Sequence, residues 1–230
     1  MSRVLGLIPA RGGSRRLPGK NLATAAGRTL LQRAIDVGLE ARGVDRLIVS
    51  TDDPAVAEAA RAGGAEVPFM RPSELATDEA TSLDVVRHAL RWADAAEPDG
   101  FAFIVLLQPT SPLRTAEDVE QTLRLCRSRG CTTAVTAAAA RSDVLMIGGG
   151  DGTISPLSAF GQPMRLNGAV YVLRTDHVSR GGDFIADDTA FHLMPGHRSV
   201  DVDTREDLEL AISRMKLGSV LRADDENLPQ

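Results

Sequence analysis

A chain of 230 residues, 43% of them hydrophobic, is long enough to bury one large core, and length alone allows one domain or two. Its formal net charge of −5 argues against nonspecific binding to nucleic acid or to a membrane surface, because the basic residues near the N-terminus are a local cluster and not a chain-wide excess. No apolar run of about eighteen residues and no signal-peptide pattern is visible, so the expected location is the cytoplasm, with neither nucleic acid nor membrane as partner.

The first strand pattern, at 3–8, runs into the loop IPARGGSRRLPGKN at 8–21. Gly12, Gly13 and Gly19 let backbone N–H groups approach an anion, Arg11, Arg15, Arg16 and Lys20 supply charge, and Ser14 supplies a hydroxyl donor. Read alone, the run is equally an ordinary basic surface turn. It is not a Walker A loop, since the spacing from Gly13 to Gly19-Lys20 is one residue too long and Asn21 stands where a magnesium-binding hydroxyl belongs. Nor is it a dinucleotide fingerprint, because its glycines are adjacent and its charge exceeds what a pyrophosphate on a helix N-terminus requires. Lys20 and Lys216 are the only lysines among 26 basic residues, which singles out a compact point charge inside this loop.

Helical patterns at 29–42, 54–63, 78–96, 115–129 and 204–217 then alternate with strand patterns at 46–50, 101–107, 132–137 and 168–173. The alternation predicts an α/β fold with a doubly wound, mainly parallel sheet. Helix starts are expected within Thr51 to Asp53 before Pro54, at Thr115 with Asp118 three residues on, and at Asp203 or Thr204 with Glu206 and Asp207 in the first turn. Asp52 and Asp53 are read as ribose or loop contacts or, the favoured role, as caps of the helix that starts at Pro54. Asp78 and Glu79 read equally as part of a ligand-binding segment or as first-turn residues that stabilise a helix dipole. Cys126 and Cys131, without a CxxC spacing or partner histidines, read as buried free thiols. Residues 138–166 break the rhythm and predict a small hairpin-like insertion turning at Asp151-Gly152, while 218–230 read as a flexible tail after one domain over 1–217. The four histidines, at 88, 177, 192 and 197, show no ligand or triad spacing.

Ligands in such sheets gather outside the carboxyl ends of the strands, where 9–21, Ser50, Asp53 and the stretch 108–114 all fall. The loop at 8–21, together with STDD at 50–53, RPSELATDEATSLDVV at 71–86, LLQPTSPLR at 106–114, NGAVYV at 167–172 and DVDTREDLELA at 201–211, resembles the acylneuraminate cytidylyltransferase family, the CMP-sialic acid synthetases. The match runs in the family's order over residues 3 to about 212. The resemblance implies a Rossmann-like nucleotidyltransferase that moves CMP from CTP to an acidic sugar and releases pyrophosphate.

It also implies roles for particular residues. Ala10, Arg11, Gly12, Gly13, Ser14, Arg15, Lys20 and Asn21 fall at the family's triphosphate positions, with Lys20 and Arg11 catalytic, and Arg71, Ala80 and Ser82 at its cytidine site. Gln108, Arg165, Asn167 and Tyr171 fall toward the acceptor, with Arg165 able to grip a carboxylate bidentately. Asp201 and Asp203 match the family's Mg2+ (or Mn2+) carboxylates, although read alone the pair is a helix-capping acidic turn. The insertion at 138–166 matches the family's dimerisation subdomain, which implies a homodimer. It is short and poor in aromatics apart from Phe160, which predicts an altered acceptor pocket. Two alternatives stay open: the same phosphate chemistry with GTP or a phosphonate acceptor, and a nucleotide-binding protein without turnover.

Overall fold

The computed structural model describes residues 2–97, 99–140, 146–148, 154–156 and 163–225, with backbone alone for 146–148, 154–156 and 218–225. Its centre is a six-stranded sheet built from β1 (Val4–Pro9), β4 (Arg46–Ser50), β5 (Phe103–Leu106), β6 (Thr133–Ala139), β9 (Met164–Arg174) and β10 (Ala190–Leu193), in the order β10-β6-β9-β5-β1-β4. β1 pairs in parallel with β4 and β5, and β10 with β6, whereas β9 runs antiparallel to both β5 and β6. The strand β1, flanked in parallel by β4 and β5, is apolar almost throughout and buried to Ile8, as a parallel strand covered on both faces must be.

One face packs against α1 (Leu30–Glu40), α2 (Pro54–Ala62) and α4 (Ala116–Arg129), through Leu31, Ile35, Val56, Ala60, Val119 and Leu123. The other carries α3 (Ser82–Ala96) and the short α5 (Thr175–Ser179), whose Val85, Val86, Leu90 and Val178 meet Leu5, Leu7, Ile104 and Leu106. A third cluster lies outside these layers. There Val202, Leu208 and Ala211, the latter two from α6 (Arg205–Asp225), meet Leu17, Leu30 and Ala25 of the hairpin β2 (Thr24–Ala25) and β3 (Arg28–Thr29). That cluster brings the start of α6 against the basic loop.

The expected α/β alternation is present, with local differences. α3 begins at Ser82 rather than 78, because Thr81 and Asp84 close a reciprocal capping box that fixes the first turn there. Asp78 and Glu79 therefore precede the helix and do not serve its dipole. The hairpin β2–β3 escaped the pattern because it turns through Ala26 at φ 48° and Gly27 at φ 79°, without the Asn-Gly or Asp-Gly signal. Arg33 of α1 holds that turn with its guanidinium on the carbonyls of Ala25 and Ala26. β10 and α5 are short and were also not anticipated. The insertion contains β7 (Met146–Gly148) paired antiparallel with β8 (Ile154–Pro156), as a hairpin requires. Its turn at Asp151-Gly152 and Phe160 lie outside the described residues. α6 remains helical to Asp225, past the expected end at 217, and 226–230 lie outside the described residues. Cys126 and Cys131 are buried free thiols, as expected.

Candidate active site

The carboxyl ends of β1, β4 and β5 deliver the segments 10–21, 51–53 and 107–114 to one rim of the sheet. β9 runs the other way, so its amino-terminal end meets the same rim, and the segment after β10 carries 194–203 there as well. A cleft of about 250 Å³ opens at this rim, lined by Pro9, Arg11, Lys20, Asn21, Arg71 and, across from them, the stretch 77–82 and 108–110. Ser14, Gly13 and Arg15 line a shallower recess beside it.

The basic loop is closed on itself. Asn21 Nδ2 donates to the carbonyl of Arg11 at 2.8 Å, and Gly19, in the left-handed region at φ 66°, turns the chain into the 3-10 turn that begins at Lys20. Gly12 serves a different purpose from the one its sequence suggests. Its N–H donates to Asp52 Oδ1 at 3.0 Å, and a Cβ there would lie 2.6 Å from Asp53 Oδ2, so glycine lets the loop pack on the start of α2. Asp53 caps that helix, accepting from the amides of Ala55 and Val56 at 2.7 and 3.3 Å, which favours the capping reading of this residue. Ala10 is fully buried and ties β1 to β4 through its N–H to the Ser50 carbonyl at 2.9 Å.

The cations face carboxylates on two sides. Lys20 Nζ lies 2.9 Å from Asp203 Oδ1 and Arg16 lies 2.8 Å from Asp203 Oδ2. On the opposite wall, Arg11 and Arg15 each lie 2.6 Å from Asp78, and Arg11 also donates to the carbonyl of Thr77 at 2.6 Å. Hydrogen bonding from Arg11, with the Arg15 charge beside it, holds the Asp78 carboxyl below its ordinary pKa. Beneath the loop, the Arg71 side chain donates to Ser50 Oγ at 3.0 Å and to the Ser50 carbonyl, and reaches the carbonyl of Leu75 at 3.4 Å. Burial lowers its pKa to about 10, and it remains a cation at neutral pH.

Asp201 and Asp203 flank Val202 in the segment entering α6, whose register is set by the Val202 amide on the Thr110 carbonyl at 2.8 Å. Asp201 is exposed as a residue, yet surrounding protein desolvates its carboxyl and raises its pKa. A hydrogen bond with Thr110 opposes that rise and repulsion from Asp203 adds to it. Two hard oxygen donors that repel each other suit a divalent cation. Among the described residues no three of His, Cys, Asp and Glu converge, and two carboxylates leave most of such a cation's shell open to other oxygen donors. Asp207 accepts the amides of Asp203 and Thr204 at 3.1 and 2.9 Å, so helix capping is carried by Thr204 and Asp207, while the Asp203 carboxylate is engaged by Lys20 and Arg16.

The expected acceptor residues divide. Gln108 lines the cleft, and Gly168, at φ 72°, leaves room for its Oε1, which a Cβ at 168 would meet at 2.8 Å. Tyr171 stacks on Phe184 at 4.8 Å, and its pKa is raised by burial and by the charge of Asp201 nearby. Arg165 donates to the Ser199 carbonyl at 3.0 Å, which places it beside the aspartate segment. Asn167 corrects its expectation: its side chain is turned inward, accepting from Thr136 Oγ1 at 2.7 Å and donating to Ser199 Oγ at 3.0 Å. It props the irregularity in β9 where the β6 register shifts between Val135 and Ala137. Ala80 and Ser82 line the cleft wall. Sequence patterning missed Thr110, Asp78 as the partner of the loop cations, and Arg114. The last is a buried guanidinium that ties the carbonyls of Gln108 and Ala169 together at 3.0 and 2.7 Å. Their signals are contacts between segments distant in sequence, which no local spacing carries.

The chain is 29% identical over 226 residues to a CMP-N,N'-diacetyllegionaminic acid synthase of Legionella pneumophila, covering 94% of this chain and 97% of that protein. It is also 29% identical over 223 residues to an N-acylneuraminate cytidylyltransferase of Escherichia coli, covering 92% of this chain, but it spans only about half, 52%, of that longer relative. Among solved structures, a CMP:2-keto-3-deoxy-manno-octonic acid synthetase complexed with CTP superposes with a TM-score of 0.72 at 21% identity, over 94% of this chain and all of that one, a likeness of fold. The profile of the family described as cytidylyltransferase matches residues 5–144. With that match across the loop, the Asp52–Asp53 turn, the cleft wall and the Gln108 segment, the chain belongs to the cytidylyltransferase family.

Proposed function

We propose that this protein transfers CMP from CTP to a hydroxyl of an acidic sugar of the nonulosonic class, with release of pyrophosphate. The observation that carries the reading is the cleft itself, where Arg11, Lys20 and Arg71 line one side and the carboxylates of Asp201 and Asp203 stand beside Lys20. The activities for which the relatives are named, toward N-acylneuraminic and diacetyllegionaminic acids, support the acceptor class.

In this reading the acceptor hydroxyl oxygen bonds to the α-phosphorus as the bond to the bridging oxygen breaks, its proton passes to water, and negative charge grows on the phosphoryl oxygens and on the leaving pyrophosphate. Lys20, its side chain only 16% exposed, offers a desolvated point charge to that growth. Arg11, Arg15 and Ser14 hold the β- and γ-phosphates. Arg71 steadies the wall at Leu75 against which the pyrimidine lies, with Ala80 and Ser82 beside it. Asp201 and Asp203 would hold Mg2+ or Mn2+, which when bound would supply charge neutralisation to the phosphates. Gln108 and Tyr171 face the sugar, and Arg165 takes its carboxylate.

The reading extends to a homodimer with a pocket that accepts N-acetylneuraminate poorly, supported by the short insertion. Release of pyrophosphate from each of the four NTPs, GTP included, against nine-carbon ulosonic acids, Kdo and phosphonates tests the whole. CTP with an ulosonic acid should turn over fastest; a preference for GTP, or turnover only with a phosphonate, would replace this reading. Arg165→Ala should raise the acceptor KM far more than the CTP KM, by about 1.5–3 kcal/mol for a lost charged partner. Efficient use of N-acetylneuraminate by a species that elutes as a monomer would refute the extension.

A further inference from the structure

Asp78 stands at the mouth of the cleft with one oxygen toward each of two loop cations. Its Oδ1 lies 2.6 Å from Arg11 Nη2 and its Oδ2 lies 2.6 Å from Arg15 Nε. It has no helix to serve, since α3 starts at Ser82 under the box formed by Thr81 and Asp84. It lines both the cleft and the neighbouring recess that Ser14 and Arg15 share. One carboxylate thus sits across two guanidinium groups in the manner of a bound oxyanion.

We propose that Asp78 is an internal competitor for the polyphosphate subsite: it occupies Arg11 and Arg15, gives way to the triphosphate, and returns to them as pyrophosphate leaves. The proposal rests on the reading of this loop as a triphosphate site. The energetics suit exchange. Arg15 is 86% exposed and Asp78 34%, so water screens the pairs and each is weak enough to break at every turnover. A terminal phosphate carries about −1.5 to −2 charge against the single charge of the carboxylate, so a triphosphate wins both cations. Pyrophosphate, without the nucleoside's contacts along 77–82, holds them less firmly and is displaced.

Calorimetric titration of pyrophosphate, inorganic triphosphate, CTP and CMP into the wild type, Asp78→Asn and Asp78→Ala tests this without relying on turnover. The expected result is that both variants bind pyrophosphate and inorganic triphosphate about three- to tenfold more tightly, with CMP changed by a smaller factor. Product inhibition by pyrophosphate should deepen in step. Arg15→Ala should cost more affinity for pyrophosphate in the Asp78→Asn background than in the wild type, because only there is its charge uncommitted. Unchanged or weaker pyrophosphate binding would overturn the proposal, as it would mean that Asp78 merely pins the loop in place. Tightening of CMP equal to that of pyrophosphate would overturn it too, by placing the competition outside the polyphosphate subsite. A wild type that binds neither CTP nor inorganic triphosphate, with Lys20→Ala no different, would instead sink the triphosphate reading, and the proposal with it.

Discussion

Replacing Gly12 by alanine puts the packing of the basic loop directly under test. The added Cβ would lie 2.6 Å from Asp53 Oδ2, 2.8 Å from Asp53 Cβ and 3.1 Å from Asp53 Cγ, and the close Cβ cannot be relieved by turning the carboxylate. Two things are then strained together, the cap that Asp53 gives α2 and the bond from the Gly12 N–H to Asp52. Overpacking of this kind costs about 1–3 kcal/mol and a lost cap about 0.5–2, the two overlapping here in one displacement, so about 2 kcal/mol is expected. For a chain of 230 residues that lowers Tm by about 4–8 °C, and the same displacement should raise the Kd for CTP. Asp53→Gly removes the obstructing atoms at a cost of only a few tenths of a kcal/mol at a cap position. The double variant Gly12→Ala/Asp53→Gly should therefore melt close to Asp53→Gly alone, with a coupling of about 1–2 kcal/mol. Thermal scans of the four proteins decide it. Strict additivity of the two substitutions, or a Gly12→Ala protein that melts with the wild type, would refute the argument.

Three further outcomes are expected. Lys20→Ala should keep the fold and lower kcat by at least about a hundredfold in a pyrophosphate-release assay, with Lys20→Arg restoring only part because its guanidinium is larger and planar. Asp201→Asn and Asp203→Asn should each raise the Mg2+ or Mn2+ concentration needed for half-maximal rate, and EDTA should abolish the wild-type rate; indifference to EDTA would remove the metal assignment. Asp118 is buried, and although burial alone would raise its pKa, hydrogen bonds from Arg198 at 2.5 Å and Thr115 at 2.9 Å hold it below the ordinary value. A depressed native pKa means stability that is present above the unfolded pKa and lost as pH falls through the native one. Asp118→Asn should thus cost about 3 kcal/mol at pH 7, and the gap to wild type in chemical-denaturation curves should close in acid below the usual aspartate range.

Much of this arrangement was legible because it is written in local pattern. The alternation of strands and helices, the caps at Asp53 and Thr115, and the cation-rich loop each depend on residues within a few positions of one another. Asn167 was misread because its neighbours in sequence give no sign that a register shift in β9 turns it toward Thr136 and Ser199. Asp78 stayed ambiguous for a related reason: a carboxylate just before a helix looks like a dipole partner until the helix is seen to start at Ser82. The partnership of Lys20 with Asp203 joins residues 183 positions apart and follows only from the packing of α6 on the hairpin β2–β3.

The position of β9 bears on how the chain reaches its fold during synthesis. β4, β1 and β5 are complete once residue 106 has emerged, and their parallel pairing needs nothing further. β6 follows but borders none of them; in the finished sheet it touches only β9 and β10. Until residues 164–174 are made, a three-stranded block and the lone strand β6 are apart and the edge of β5 is open, a row of unpaired N–H and C=O groups that invites pairing with another chain. β9 closes that edge and joins the two, by contacts that are antiparallel and distant in sequence on the β5 side, hence slow to form. A polypeptide shortened before residue 164 therefore keeps most of its helices and most of its strands, and yet is the form of this protein most prone to aggregate.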